Sequence, residues 1–309
     1  MATASFVTGL PGIRPASGWV LGGFVGMHTG LLLSVHTPAF SRLVARPIAA
    51  ATAGWVSHSV AATLLMAVVL IGGLLWGAGG LRTGDFGWPT GGRGGWKALN
   101  AVLIAYLLWG LAQLLVAGSA IFGLTDIATN PAWMQPLRPS LVGASALAVI
   151  AGATLEEVLY RGFFFVHLLL ALRRWGVATV RGQMYAALAG SQLFFGMNHI
   201  PVGLAAGFEG GVLGLYILQV TLVGVLFAVL FMQTNNLFVP IAVHALINAP
   251  VLPFVAPVDA SLLVLVLALV LVLVRPVLTP ILVHGLGTDS SRGSPSSCSS
   301  AGRRPGGPH

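Results

Sequence analysis

Long apolar runs broken by short polar joints dominate the chain. About 20 consecutive apolar residues cross a bilayer as a helix. The runs predict eight spans, at about 18–36, 55–78, 97–122, 139–172, 184–200, 208–233, 237–254 and 258–283. The fold class expected is all-α, a polytopic transmembrane helical bundle. The fourth run is longer than a membrane requires, so it should tilt, break or project from the bilayer. The fifth is short and stops at Pro201, since the residue before a proline avoids helical geometry. In the first run Gly18, Gly22, Gly26, Gly30 and Ser34 recur at every fourth position. That face of small residues should let another helix approach closely, from this chain or a second copy. His28 and His36 beside it read as incidental.

The joints fit this picture. Trp19, Trp55, Trp76, Trp96, Trp133 and Trp175 fall near run ends, where amphipathic rings sit at the membrane interface. The joint from Gly77 to Gly95 reads as a solvated connection. Its scattered glycines make no phosphate loop. Residues 1–17, with Pro11, Pro15 and the single basic residue Arg14, do not read as a cleavable signal peptide.

Composition agrees with a membrane protein: 56% hydrophobic residues and 7% charged, against about 25% charged in a soluble domain. The single cysteine, Cys298, lies in the polar tail, which excludes a disulfide framework and a cysteine metal site. A net charge of +8 would suggest a nucleic-acid ligand in a soluble chain. Here the basic residues lie between runs, so positive-inside topology explains them and no nucleic-acid partner is expected. With a cytosolic N-terminus, the inner joints hold Arg14, Arg82, Arg93, Lys97, Arg173, Arg174, Arg181, Arg275, Arg292, Arg303 and Arg304. The outer joints hold only Arg42, Arg46 and Arg138. Both termini are therefore expected in the cytosol. The tail and the Ala/Gly/Arg usage suggest a bacterial plasma membrane.

Only seven acidic residues occur, and two are adjacent inside the fourth run, in Glu156-Glu157-Val158-Leu159-Tyr160-Arg161. A carboxylate at bilayer depth costs about 2.5–3.5 kcal/mol on insertion scales. On a helix, Glu157 and Arg161 share a face four residues apart, so they can pair. Glu156 points about 100° away and stays free for other work. Two further polar sites lie in later runs. Phe195 and His199 share a face in the fifth, and His244 and Asn248 share one in the seventh. His167, past Arg161, reads as structural. Burying these groups separately would be expensive three times, whereas one polar cavity lets them satisfy each other.

A carboxylate and an imidazole can take a proton from water and return it to a leaving amine. A second imidazole and an amide can donate to an oxyanion. Glu156, His199 and His244 could equally hold Zn²⁺ with an open position for water, although no His-Glu-x-x-His helix is present.

Taken together, Glu156-Glu157-x-x-x-Arg161, Phe195-x-x-x-His199 and His244-x-x-x-Asn248 resemble the CPBP family of intramembrane proteases, the CAAX-protease, Abi and bacteriocin-processing family. The resemblance covers about residues 140–254. It implies an intramembrane endopeptidase with its active site inside the membrane. The substrate would be a membrane-associated peptide or protein, prenylated in the CAAX-type members. By position, Glu156 and His199 would activate water, His244 and Asn248 would stabilise the oxyanion, and Glu157, Arg161 and Phe195 would support the site. The chemistry would need either no metal or Zn, with Glu156, His199 and His244 as its ligands. The organisation expected is an N-terminal segment over 1–17, transmembrane helices over 18–136, a CAAX-protease-like core over 137–254, a last transmembrane helix over 255–284 and a disordered tail over 285–309. Two other readings stay open. One is a non-catalytic immunity or scaffold protein; the other is an ion-coupled transporter, although no second set of matching polar residues repeats in the first three runs.

Overall fold

The computed structural model describes residues 13–88, 94–124, 128–129, 139–249 and 259–285. Trp133, Arg138, the end of the seventh expected run at 254 and the tail beyond 285 lie outside them. The described residues are helical, with no strand pairing into a sheet.

Helix α1 is Gly18–Val35. Helix α2 covers 38–51 as three joined segments, Pro38–Phe40, Ser41–Ala45 and Arg46–Ala51. Helix α3 starts at His58–Met66 and widens into a π-type coil over Ala67–Ala78. A short turn, Thr83–Phe86, precedes α4, Gly94–Ile121. Helix α5 is continuous over 139–174 but changes gauge: Pro139–Glu157 is α, Val158–Phe165 is π, and Val166–Arg174 is α again. Helix α6 is Val180–Met197, α7 is Ile200–Ala205, α8 is Gly210–Thr234, α9 is Phe238–Asn248 and α10 is Ala260–Gly285.

Local chemistry sets several ends. Thr179 caps α6 by accepting from the Gly182 N–H at 3.0 Å. Helix α8 stops at Asn235, in the left-handed conformation at φ 46° and ψ 39°, which asparagine tolerates better than most residues.

Among the described residues, four helices are long and apolar enough to cross a membrane: Gly18–Val35, His58–Ala78, Gly94–Ile121 and Gly210–Thr234. They match the first, second, third and sixth expected runs. Among the described residues, Phe238–Asn248 and Ala260–Val274 are shorter apolar helices. Helix α9 has only 11 residues, and α6 carries Arg181, Gln183, Ser191 and Gln192. Trp19, Trp55, Trp76, Trp96 and Trp175 are all exposed, as interfacial rings should be.

Of the partners expected for the glycine face of α1, the described part of this chain supplies none. A side chain built at Gly18, Gly22, Gly26 or Gly30 would meet nothing within 4 Å, so no described helix packs there. The opposite side of α1 carries the packing, through Val20, Leu21, Phe24 and His28.

Two cores converge on α5 and α9. The larger gathers Phe24 of α1, Leu70 and Leu74 of α3, Tyr160, Phe163 and Phe165 of α5, and Phe194 and Phe195 of α6. The second gathers Ala101 and Leu108 of α4, Phe227 and Leu230 of α8, Val243 of α9 and Ala268 of α10. Inside a bilayer such contacts act through close packing rather than water exclusion. The compact unit ends at Val272; residues 273–285 continue α10 as part of a separate unit.

A polar clamp holds the Val158–Phe165 turns. The Asp85 carboxylate accepts from the backbone N–H groups of Arg14 and Arg82, both at 2.8 Å. His167 accepts from the Ala16 N–H at Nδ1, 3.0 Å, so its Nε2–H donates to the Asp85 carbonyl at 2.9 Å. The structural reading of His167 therefore holds. Next to this clamp the Phe86 carbonyl presses on Gly162, where a Cβ would collide with it. Only glycine fits that crossing.

Candidate active site

The widened stretch of α5 begins one residue after Glu157. The two glutamates thus sit where α geometry gives way to π geometry, a feature common at functional sites. They have different surroundings. The Glu157 side chain is fully buried, while that of Glu156 is a third exposed.

Glu157 is braced. Its Oε1 accepts from Arg161 Nη1 at 3.0 Å and from His244 Nδ1 at 2.8 Å. Arg161, also fully buried, donates from Nη2 to the Gly224 carbonyl of α8 at 3.2 Å. That approach depends on glycine. A Cβ at Gly224 would lie 3.0 Å from Arg161 Nη2, 2.7 Å from Gln192 Oε1 and 2.8 Å from Phe195 Cδ1. The guanidinium lies 4.2 Å from the Phe195 ring centre and 5.3 Å from that of Phe227, so cation–π attraction replaces part of its lost hydration.

Glu156 faces the other way, into a cavity of about 300 Å³ that it lines with His199, Asn248, His28, Tyr160 and Asn198. Two imidazoles approach the same oxygen of Glu156. His199 Nε2 lies 3.9 Å and His244 Nε2 lies 3.8 Å from Oε2.

Their tautomers follow from the partners on the far side. His199 Nδ1 sits 2.9 Å from the Phe195 carbonyl, which can only accept, so Nδ1 carries the hydrogen. His244 Nδ1 meets the Glu157 carboxylate, an acceptor when ionised, so it too carries the hydrogen. Each neutral ring therefore turns an Nε2 lone pair toward Glu156. Phe227 stacks on His244 at 4.7 Å and fixes its plane.

All the sequence-predicted site residues are thus brought together. Glu156, His199 and Asn248 line one cavity, His244 borders Glu156, and Glu157, Arg161 and Phe195 buttress them. The Glu157–Arg161 pair forms as the spacing predicts. The spacing did not reveal that His244 belongs to the same brace.

Sequence reasoning passed over the cavity's other polar lining. His28, read as incidental, is buried there with its ring at the Tyr160 hydroxyl, Nε2 to oxygen 3.2 Å. Tyr160 follows Glu156 by one helical step of four, a spacing that could have flagged it. Nothing around His28 in the sequence connects it to residues so distant.

The two Nε2 atoms and Glu156 have the donor chemistry of a zinc site, with carboxylate and carbonyl partners behind the rings. Their spacing is wider than that of zinc ligands. Among the described residues, no group of three or more His, Cys, Asp or Glu is arranged to hold a metal ion. Ligands at tetrahedral zinc stand about 3.3 Å apart, given bonds of about 2.0–2.1 Å, and those facing Glu156 are farther off.

Residues 138–250 match the family described as type II CAAX prenyl endopeptidase Rce1-like. That stretch, a little over a third of the chain, is similar to the Rce1-like family. That match is consistent with the CPBP resemblance. No curated protein and no solved structure matches the chain. The matched stretch contains α5 to α9 with Glu156, His199, His244 and Asn248. Helices α1 and α3, which line the same cavity through His28, His58 and Met66, lie outside it.

Proposed function

We propose that this protein is an intramembrane endopeptidase that hydrolyses a peptide bond in a membrane-associated protein or peptide, by water activated between Glu156 and His199. The observation that carries the reading is the convergence of Glu156 Oε2 with two imidazole lone pairs at 3.8 and 3.9 Å in a half-enclosed cavity. Three acceptors facing one another favour a molecule that brings protons, and water between them would donate to two at once.

The step balances as follows. Water attacks the scissile carbonyl carbon and passes one proton to the Glu156–His199 pair. The carbonyl oxygen takes the negative charge and accepts from the Asn248 amide. The pair then returns the proton to the leaving nitrogen, the C–N bond breaks, and a carboxylate and an amine result. His244 is an acceptor toward the cavity while neutral. It joins the oxyanion donors only as an imidazolium, whose charge Glu157 would balance. Glu157 and Arg161 hold His244 in place from behind. The Rce1-like family supports a CAAX-type substrate, prenylated on its cysteine; an unmodified membrane peptide is the other candidate.

The test is cleavage of a quenched-fluorescent peptide panel, farnesylated and unmodified, by detergent-purified protein with and without chelator, alongside elemental zinc analysis. Cleavage should survive chelation and fall at least 10²-fold in Glu156→Gln, as for loss of a general acid–base group. Undiminished cleavage by Glu156→Gln would sink the reading. Stoichiometric zinc with activity abolished by chelator would replace the metal-free step with one at Glu156, His199 and His244.

A further inference from the structure

We propose that α1 is part of the active site: His28 and Thr29 are positioning residues that act through Tyr160 and Asn198 to fix where Glu156 and His199 stand relative to each other. This rests on the endopeptidase reading above.

The starting point is the weak spot in the site. His199 is not in the body of a helix. It lies in the break between α6, which ends at Met197, and α7, which begins at Ile200. Its ring is tied by one hydrogen bond, to the Phe195 carbonyl. Any drift of the α6 end carries Nε2 away from Glu156.

Asn198, next to His199, restrains that end. Its Nδ2 donates to the Phe194 carbonyl at 2.8 Å, closing the last turn of α6. Its Oδ1 accepts from Thr29 Oγ1 of α1 at 3.3 Å. The adjoining His28 is buried and takes the Tyr160 hydroxyl at 3.2 Å. Tyr160 lies one turn beyond Glu156 in α5. Consecutive residues of α1 therefore grip α5 beside Glu156 and α6 beside His199.

Aromatic contacts make the grip stiff. His28 packs edge-on against Tyr160 at 5.2 Å and Phe194 at 5.9 Å. Tyr160 meets Phe195 edge-on at 4.8 Å, and Phe195 meets His199 at 4.6 Å. Misplacing reacting groups by about 1 Å can cost about 10²-fold in rate with little change in binding. A residue that only holds the fold would not show that selectivity.

The experiment uses the full chain in lipid nanodiscs and a peptide that the wild type cleaves. Thr29→Val, His28→Ala and Asn198→Ala should each lower kcat by about 10–100-fold with KM within about threefold. Thr29→Ser, which keeps the hydroxyl, should return kcat to within about threefold of wild type. The Thr29→Val/Asn198→Ala double variant should be no slower than Asn198→Ala, because both remove one link. Melting temperatures are recorded for every variant, so a misfolded one is replaced by a milder change that still removes the link, His28→Gln or Thr29→Ala. The proposal is overturned by an unchanged kcat in the folded variants, by a rise in KM alone, by failure of Thr29→Ser to restore the rate, or by losses that multiply in the double variant. Glu156→Gln runs beside them. A wild-type rate there overturns the endopeptidase reading itself, whereas the α1 variants are scored only against wild type.

Discussion

At the residue scale, adjacent glutamates of identical chemistry have been assigned different work by what stands behind them. Glu157 is enclosed between Arg161 and His244; Glu156 faces the Nε2 atoms of His199 and His244 across a cavity. A buried ion pair contributes little net stability, but removing one member leaves a bare charge and costs about 3–5 kcal/mol. Arg161→Leu should therefore lower the melting temperature sharply and abolish cleavage, and Glu157→Gln should do both more mildly because an amide still accepts from His244. Arg161→Lys should not rescue, since an ammonium cannot bridge Glu157 and the Gly224 carbonyl in one plane. Phe195→Leu keeps bulk but loses the ring under the guanidinium, a contact worth about 0.5–2 kcal/mol. It should melt earlier than wild type by a few degrees in the same detergent. The outcome that would contradict this account is an Arg161→Leu protein as stable as wild type.

At the element scale, α5 departs from regular geometry where the chemistry sits, and its neighbours are cut to fit. Gly162 lets the Phe86 carbonyl reach the helix, and Gly224 lets Arg161 reach α8. Alanine at either should be costly although the change is one methyl group, since overpacking typically costs about 1–3 kcal/mol. Gly162→Ala, which meets rigid backbone, should lose more melting temperature than Gly224→Ala, whose neighbours are side-chain ends. Gly22→Ala, on the open face of α1, should lose almost nothing. Equal losses at all three would contradict the packing described.

Across the whole molecule, four-residue spacings revealed much of the site before any coordinates. Glu157 with Arg161, Phe195 with His199 and His244 with Asn248 are local relations, and a helix converts them into shared faces. What was hidden is long-range. His28 meets Tyr160 across 132 positions and Thr29 meets Asn198 across 169, and no periodicity encodes such meetings. The same limit left the partner of α1 open. Its glycines mark a smooth face, but smoothness does not say whether a neighbour occupies it. The widening of α5 was invisible too, because no residue type announces a π turn. Because α1 and α3 line the cavity, a fragment over 131–309 should not cleave peptide by itself, and co-expression with the fragment over 1–130 should restore cleavage. Full activity of 131–309 alone would show that the N-terminal helices are dispensable.

The turned-away hydrogens of His199 and His244 bear on the choice of substrate. Both rings spend their N–H on protein acceptors and, while neutral, turn bare Nε2 toward the Glu156 carboxylate, so the Glu156 side of the cavity disfavours a second negative charge. A peptide with aspartate or glutamate next to the scissile bond would enter against that field, while one with serine, asparagine or an uncharged side chain would not. In a peptide series differing only at those flanking positions, acidic members should be cleaved at least tenfold more slowly at equal concentration. The charge filter would then have been set by two hydrogen bonds that never touch the substrate.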